Sequence, residues 1–292
     1  MHRSRHVVTV AVACLLVLVS GGVAHAAPAT PTLVGIRAAH HPTFDRIVFD
    51  FRNGVPAGHQ AQYVTQLTGD ASGLPVPVAG RAVLRIRFSP AQAHDAAGHV
   101  TAPARVAFGL PNMLMTVRSG DFEAVTTYGI GLAARQPFHV FTLSSPPRVV
   151  VDVNAAFRTV QRKVYFLDPA RFATGTEPYF RPVLRPVLPL TPATGVMDRL
   201  FAGPTPAEQA RGLRFLASGA TGFQNLSIRD RIARVQLTGG CSSGGSTATI
   251  AGEIFPTLRQ FPSVDVVKIF DPAGTTGTPA GHRDSIPNCL EP

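Results

Sequence analysis

The chain has 292 residues, 45% of them hydrophobic and 15% charged, with a formal charge of +10 at pH 7. That length accommodates two ordinary domains, and the balance of apolar to charged residues excludes an intrinsically disordered chain. Nearly all the positive charge is arginine, Lys163 and Lys268 being the only lysines. These arginines are scattered along predicted strands without zinc-ligand spacing or a recognition helix, which argues against nucleic-acid binding.

The N-terminus carries a basic head (His2, Arg3, Arg5, His6), an apolar run from Val7 to Val19 and a small-x-small site, Ala24-His25-Ala26. This is the pattern of a secretory signal peptide over residues 1–26. Gly21, Gly22, Pro28 and Pro31 interrupt the apolar stretch and count against an uncleaved anchor. Cys14 sits inside the apolar run rather than at its end, which counts against a lipoprotein signal. After cleavage no transmembrane segment is expected, and the protein is extracytoplasmic, secreted or wall-associated. Its net charge then suits anionic wall polymers as partners. Cys241 and Cys289 become the only cysteines, so in an oxidising compartment a disulfide between them is expected.

Residues 30–157 read as an all-β, sandwich-like domain, because short apolar segments alternate with Gly, Pro, Asn and Asp and no helical period appears. In "FDRIVFDF", Ile47, Phe49 and Phe51 share one strand face and Arg46, Val48 and Asp50 the other. "QYVTQL", "AVLRIRF", "ARVAFGL", "HVFTLSS" and "PRVVVDVN" continue the pattern. The opening "GIRAAHHPTFDRIVFDF" and the closing "SPPRVVVDVNAA" resemble the AMIN-like domains of exported bacterial proteins. AMIN domains proper are non-catalytic β-sandwich modules that place amidases on peptidoglycan, so the resemblance implies an envelope-binding role. Arg46, Asp50 and Arg148 are the candidate binding residues, with cross-strand ion pairing among Asp45, Arg46, Asp50, Arg148 and Asp152 as the structural alternative. His40 and His41 beside Asp45 and Asp50 invite a metal. Adjacent histidines in a strand point to opposite faces, however, and His59 and His94 lie far along the chain, so no metal site is expected.

Residues 160–292 change pattern. "KVYFLD" and "FRPVLRPV" read as strands, the second an edge strand because Pro182 and Pro186 cannot donate ladder hydrogen bonds. A helix is predicted after Thr191 as N-cap, with Pro192 at its first position and Gly203 beyond its end. Thr205 to Glu208 fits a capping box. "NLSIRDRIARVQL" reads as a hairpin turning at Asp230, Ser246 to Phe261 as a second helix capped by Ser246 or Thr247, and "VDVVKIF" as the last strand. The expectation is an α+β domain with a small, mostly antiparallel sheet and two helices. "MDRLFAGPT", "LSIRDRIARVQL" and "EIFPTLRQFPSVDVVKIF" are similar to the GerMN domain of sporulation, germination and other exported bacterial proteins. That resemblance spans about residues 160–275 and implies assembly or binding to envelope proteins without catalysis. It departs from the family at the hairpin turn, where Asp230-Arg231 replaces the usual glycine, and in the added tail "HRDSIPNCLEP".

Gly240 to Gly244 satisfies the G-x-S-x-G pattern of serine hydrolases, and Asp265 or Asp271 followed by His282 would complete a triad in chain order. Against a nucleophilic Ser242 stand the absence of repeated parallel crossover units, of an HGGG-like segment, and the neighbouring Cys241. The sequence reading is therefore a non-enzymatic envelope protein without cofactor, binding wall glycan through the first domain and protein partners through the second. A wall serine hydrolase and a pure scaffold are the alternatives.

Overall fold

The computed structural model describes residues 29–292, so the predicted signal peptide lies outside the described residues. The first part of the chain forms β1 (Thr32–His40), β2 (Phe44–Arg52), β3 (Gly58–Val64), β4 (Ala82–Ser89), β5 (Arg105–Ala107), β6 (Met113–Phe122), β7 (Val125–Leu132), β8 (Phe138–Ser144) and β9 (Pro147–Asn154). They make a four-stranded sheet, β1-β2-β9-β8, and a five-stranded sheet, β3-β4-β7-β6-β5. The two sheets share one core, as the strict alternation of β2 requires. Ile47, Phe49 and Phe51 meet Leu84, Ile86 and Phe88 of the other sheet. Phe88 stands edge-on to Phe49, with ring centroids 5.0 Å apart.

The segment 65–81 lies across the outer face of the five-stranded sheet. Leu67 and Ala79 occupy the space that a Cβ at Gly129 or Gly131 of β7 would need. Those two glycines let the loop approach, and Val76, Val78 and Ala79 pack there against Leu114, Met115 and Val117.

The second part contains β10 (Val160–Leu167), α1 (Pro169–Ala173), β11 (Phe180–Val187), α2 (Pro192–Ala202), α3 (Pro206–Ala210), β12 (Ala220–Arg229), β13 (Ile232–Gly239), α4 (Ile250–Arg259) and β14 (Val266–Phe270). β10 and β11 form an antiparallel hairpin, and β12-β13-β14 a mixed sheet in which β14 runs parallel to β13. The hairpin between β12 and β13 turns on Asp230 and Arg231 with φ of 52° and 59°. That left-handed pair is the geometry of a two-residue I′-type turn, achieved here without glycine. α2 starts after Thr191 with Pro192 first and ends at Gly203. Glu208 closes the start of α3 by accepting from the Thr205 amide at 2.8 Å.

Two of the differences from the sequence expectation concern helices. α1 is an additional short helix, signalled only by Asp168, whose carboxylate accepts from the Arg171 amide, and by Pro169. The last helix begins at Ile250 with Thr249 at its N-cap, not at Ser246. Ser246 and Thr247 stay outside because the Cys241–Cys289 bridge and two glycines with positive φ, Gly244 and Gly245, hold residues 241–246 as a loop.

Among the described residues the hairpin β10–β11 pairs with no other strand, apart from an isolated bridge between Leu167 and Arg214, and its two edges are closed differently. On the β10 side the side chains of α4 replace a strand. Gln260 accepts from the Lys163 amide (2.8 Å) and donates to its carbonyl (2.6 Å), Thr257 accepts from the Tyr165 amide (3.1 Å), and Glu253 accepts from the Leu167 amide (3.1 Å). Residues 253, 257 and 260 share one helix face, so a helical period meets a strand period of two. Since Lys163, Tyr165 and Leu167 turn their amides toward α4, the outward positions of β11 are those opposite them: Phe180, Pro182 and Leu184. Pro186, opposite Gln161, lies on the same side. Two of these four have no N–H to offer, so the prolines blunt the exposed edge.

The two parts are joined through α2, which packs on β6. Arg199 is enclosed at the junction, 1% exposed, and donates to the carbonyls of Pro111 (2.9 Å) and Met113 (3.5 Å). Burial, and then the nearby Arg185, push its pKa down to about 9, so it stays charged at neutral pH. Arg81 grips Asp198 with two bonds of 2.8 Å, and Arg105 donates to the Phe201 carbonyl at 2.6 Å.

Cys241 and Cys289 are bonded, with Cα atoms 5.6 Å apart across a separation of 48 residues. The bridge holds the C-terminal segment beside the start of α4, where the Ser243 amide also donates to the Cys289 carbonyl at 2.6 Å. Closing such a loop contributes about 4 kcal/mol in the chain-entropy model. Cys289→Ser is expected to lower the stability of the second part by about 2–4 kcal/mol in urea denaturation, with the β-sandwich signal unchanged. Glu253 supplies a second expectation. It is fully buried, its Oε2 has no partner among the described residues, and burial holds its pKa well above the ordinary glutamate range. A carboxyl raised in the folded state contributes stability that is complete below the unfolded pKa and is lost as pH rises through the folded one. Glu253→Gln keeps the amide acceptor, so its denaturation midpoint should fall less than that of the wild type between pH 5 and pH 8.

Candidate functional site

The outer face of the four-stranded sheet is assembled by register. Gly35, Asp50, Arg148 and Leu143 lie in one row across β1, β2, β9 and β8. Arg37, Val48, Val150 and Phe141 form the next, and Ala39, Arg46, Asp152 and His139 the third. Because Ile47, Phe49, Val149 and Val151 point into the sandwich, these alternate residues must point out. The structure therefore places Arg46, Asp50 and Arg148 on a single face.

Their pairings decide its chemistry. Arg46 forms a two-pronged bond to Asp152, Nε to Oδ1 and Nη2 to Oδ2, both 2.7 Å, and this carboxylate raises the arginine pKa above its ordinary value. Asp50 pairs with Arg37 (3.0 and 3.1 Å), although Arg148 is opposite it in register. Arg148 instead donates to the Pro146 carbonyl at 3.2 Å and has no carboxylate partner among the described residues. Asp45 turns away from this face. Its carboxylate is buried, bonds His40 Nδ1 at 2.7 Å, and accepts from the amides of Asn112 (2.6 Å) and Met113 (2.9 Å).

Aromatic rings flank the Arg46 guanidinium on two sides, which the sequence reading missed. Its Cζ lies 5.1 Å from the Phe44 ring and 5.2 Å from the Phe141 ring. His41 stacks on Phe44 with centroids 4.5 Å apart, and His139 on Phe141 at 5.5 Å. The result is a row of flat groups, His41, Phe44, Arg46, Phe141 and His139, beside the Asp152 carboxylate. Phe141 lies on β8, nearly a hundred residues from Arg46, and comes to it only through β9. Alternation in "HVFTLSS" was the one available signal.

Other sequence candidates are dispersed. His59 is on β3, and His94 bonds Asp121 at 2.9 Å. Among the described residues no group of three or more His, Cys, Asp or Glu side chains is placed to hold a metal ion. Ser242 Oγ accepts from the Gly244 amide at 3.1 Å, Asp265 pairs with Arg231, and Asp271 accepts from Thr275 at 2.6 Å. Among the described residues no hydrogen bond joins Ser242, either aspartate and His282, so the triad suggested by chain order is not assembled.

A β-sandwich with a polar, ring-bearing outer face, joined to a small α+β unit by a buried contact, defines a two-module architecture. Comparison with known families identifies the modules. Residues 31–155 match the family model of the AMIN-like domain, and residues 163–270 that of the Germane domain, described as sporulation and spore germination. The chain thus carries an AMIN-like domain followed by a Germane domain, domain types that fit a cell-envelope protein. No curated protein and no solved structure matches it. Among the described residues no helix is long and apolar enough to cross a membrane.

Asp152→Asn would leave Arg46 without its charged fork partner on a partly screened surface. A loss of about 1 kcal/mol in AMIN-like domain stability is expected, read by urea denaturation, and it should shrink as salt is raised.

Proposed function

We propose that the protein is a non-catalytic envelope component that binds peptidoglycan, or a related wall glycan, on the outer face of the four-stranded sheet. The Germane domain then meets envelope protein partners. The observation that carries this reading is the row from His41 to His139 around Arg46. Saccharide rings present flat C–H surfaces that pack on aromatic and guanidinium faces, while their hydroxyls accept hydrogen bonds from Arg and donate them to Asp carboxylates held in fixed geometry. Arg46 and Asp152 supply such groups, and Arg148 supplies a cation with no carboxylate partner among the described residues. The AMIN-like assignment of the same domain supports the choice of glycan.

Co-sedimentation with purified peptidoglycan at moderate salt tests it. The double substitution His139→Ala, Phe141→Ala removes two exposed or half-buried rings and leaves the sandwich core intact. It should lower the retained fraction about tenfold, as expected for the loss of two stacking contacts of about 0.5–1.5 kcal/mol each. Equal retention of wild type and variant would exclude this face as the binding surface.

A further inference from the structure

A second recessed site lies between the two domains. Its cavity of about 600 Å³ is bounded by the end of β3 and the 65–81 segment on the AMIN-like side and by β12 and β13 on the Germane side. That volume falls within the range of small-ligand sites, about 300–1,000 Å³. Neither domain has both walls alone, so the site exists only because α2 docks on β6.

Its chemistry is one-sided. Two arginines, Arg81 and Arg135, and no aspartate or glutamate line it. Arg81 is committed, because Asp198 takes its Nε and Nη2, and its guanidinium is stacked on Phe223 with Cζ 5.0 Å from the ring centroid. Arg135 is exposed and has no carboxylate partner among the described residues. It is nonetheless held in place, with Cζ 4.5 Å over the Tyr63 ring. That ring is fixed in turn, since its hydroxyl donates to the Gln136 carbonyl (2.5 Å) and accepts from the Gln136 amide (3.0 Å). Around this cation the cavity offers neutral hydrogen-bonding groups, Gln66, Thr65 and Thr221.

We infer that this inter-domain cavity binds an acidic saccharide, with Arg135 receiving its carboxylate and the hydroxyl and amide side chains receiving its sugar hydroxyls. One free planar fork matches one carboxylate. The neutral hydroxyl and amide groups beside Arg135 suit the hydroxyls of a sugar better than a second charge. The inference deepens the glycan reading by adding a second, charge-selective contact for the same class of polymer.

Calorimetric titration of the full chain separates the possibilities. The probes are a muramyl disaccharide-peptide, a hexuronate tetrasaccharide and neutral chitotetraose. At least one acidic probe should bind at least tenfold more tightly than chitotetraose, weakening as salt rises, and the tighter of the two acidic probes identifies the source of the carboxylate. Arg135→Gln should weaken that binding at least about tenfold, and Arg135→Lys should recover only part of it, because an ammonium keeps the charge and loses the fork. Chitotetraose binding as tightly as the acidic probes, no binding of either acidic probe, or Arg135→Gln or Arg135→Lys matching the wild type would overturn the inference. These titrations are carried out in the His139→Ala, Phe141→Ala background, so that binding at the sheet face does not contribute to them. Loss of peptidoglycan sedimentation alone therefore reports on the sheet face, and loss of acidic-probe binding alone reports on the cavity.

Discussion

The buried charge at Arg199 is the contact on which the two-domain arrangement depends. A guanidinium withdrawn from water is costly unless its donors are satisfied. Here they reach the carbonyls of Pro111 and Met113. The amides of Asn112 and Met113, in the same stretch, are held by the Asp45 carboxylate from within the sandwich. One short segment is thus bracketed by a negative group on its N–H side and a positive group on its C=O side, aligning its peptide dipoles between them. Asn112 adds bonds to the Asn154 carbonyl and the Ala134 amide and is itself fully buried. Separating the domains would take Arg199 away from the carbonyls of Pro111 and Met113, while Asp45 would keep its partners, which all lie in the AMIN-like domain.

That junction has consequences at both surfaces. It orients the Germane domain so that Phe223 meets Arg81 and closes one wall of the inter-domain cavity. It also leaves the outer face of the four-stranded sheet uncovered, since α2 docks on β6 of the opposite sheet. The two faces of the sandwich are therefore used differently. One is covered by its own 65–81 segment and, at its end, by the Germane domain; the other presents Arg46 and its stacked rings to solvent.

The Germane domain shows a related economy in handling edges. A hairpin without neighbouring strands would ordinarily expose two rows of backbone groups. α4 satisfies one row through Glu253, Thr257 and Gln260, while Pro182 and Pro186 remove donors from the other. This explains why polar residues sit on the buried side of an otherwise apolar helix, and why Glu253, its pKa raised by burial, is retained there as an acceptor.

Much of this was legible in the chain itself, wherever a local rule suffices. Alternation located β2, β4, β8 and β9, Thr191-Pro192 and Gly203 bounded α2, and a lone pair of cysteines in the described chain announced their bridge. β6 and β7 went unseen; in β7, Gly129 and Gly131 weaken the strand pattern, and their purpose is to admit a loop some fifty residues earlier, a contact no local window contains. The start of α4 was misplaced because a disulfide to the far C-terminus overrides a good capping residue at Ser246. For the candidate site, sequence alone determined that Arg46 and Asp50 share one strand face. Only the tertiary structure decided that Asp152 and not Asp50 holds Arg46, that Phe141 stacks on it, and that Arg135 faces a cavity, because strand order and domain docking are set by the summed burial of the core rather than by any neighbouring residue.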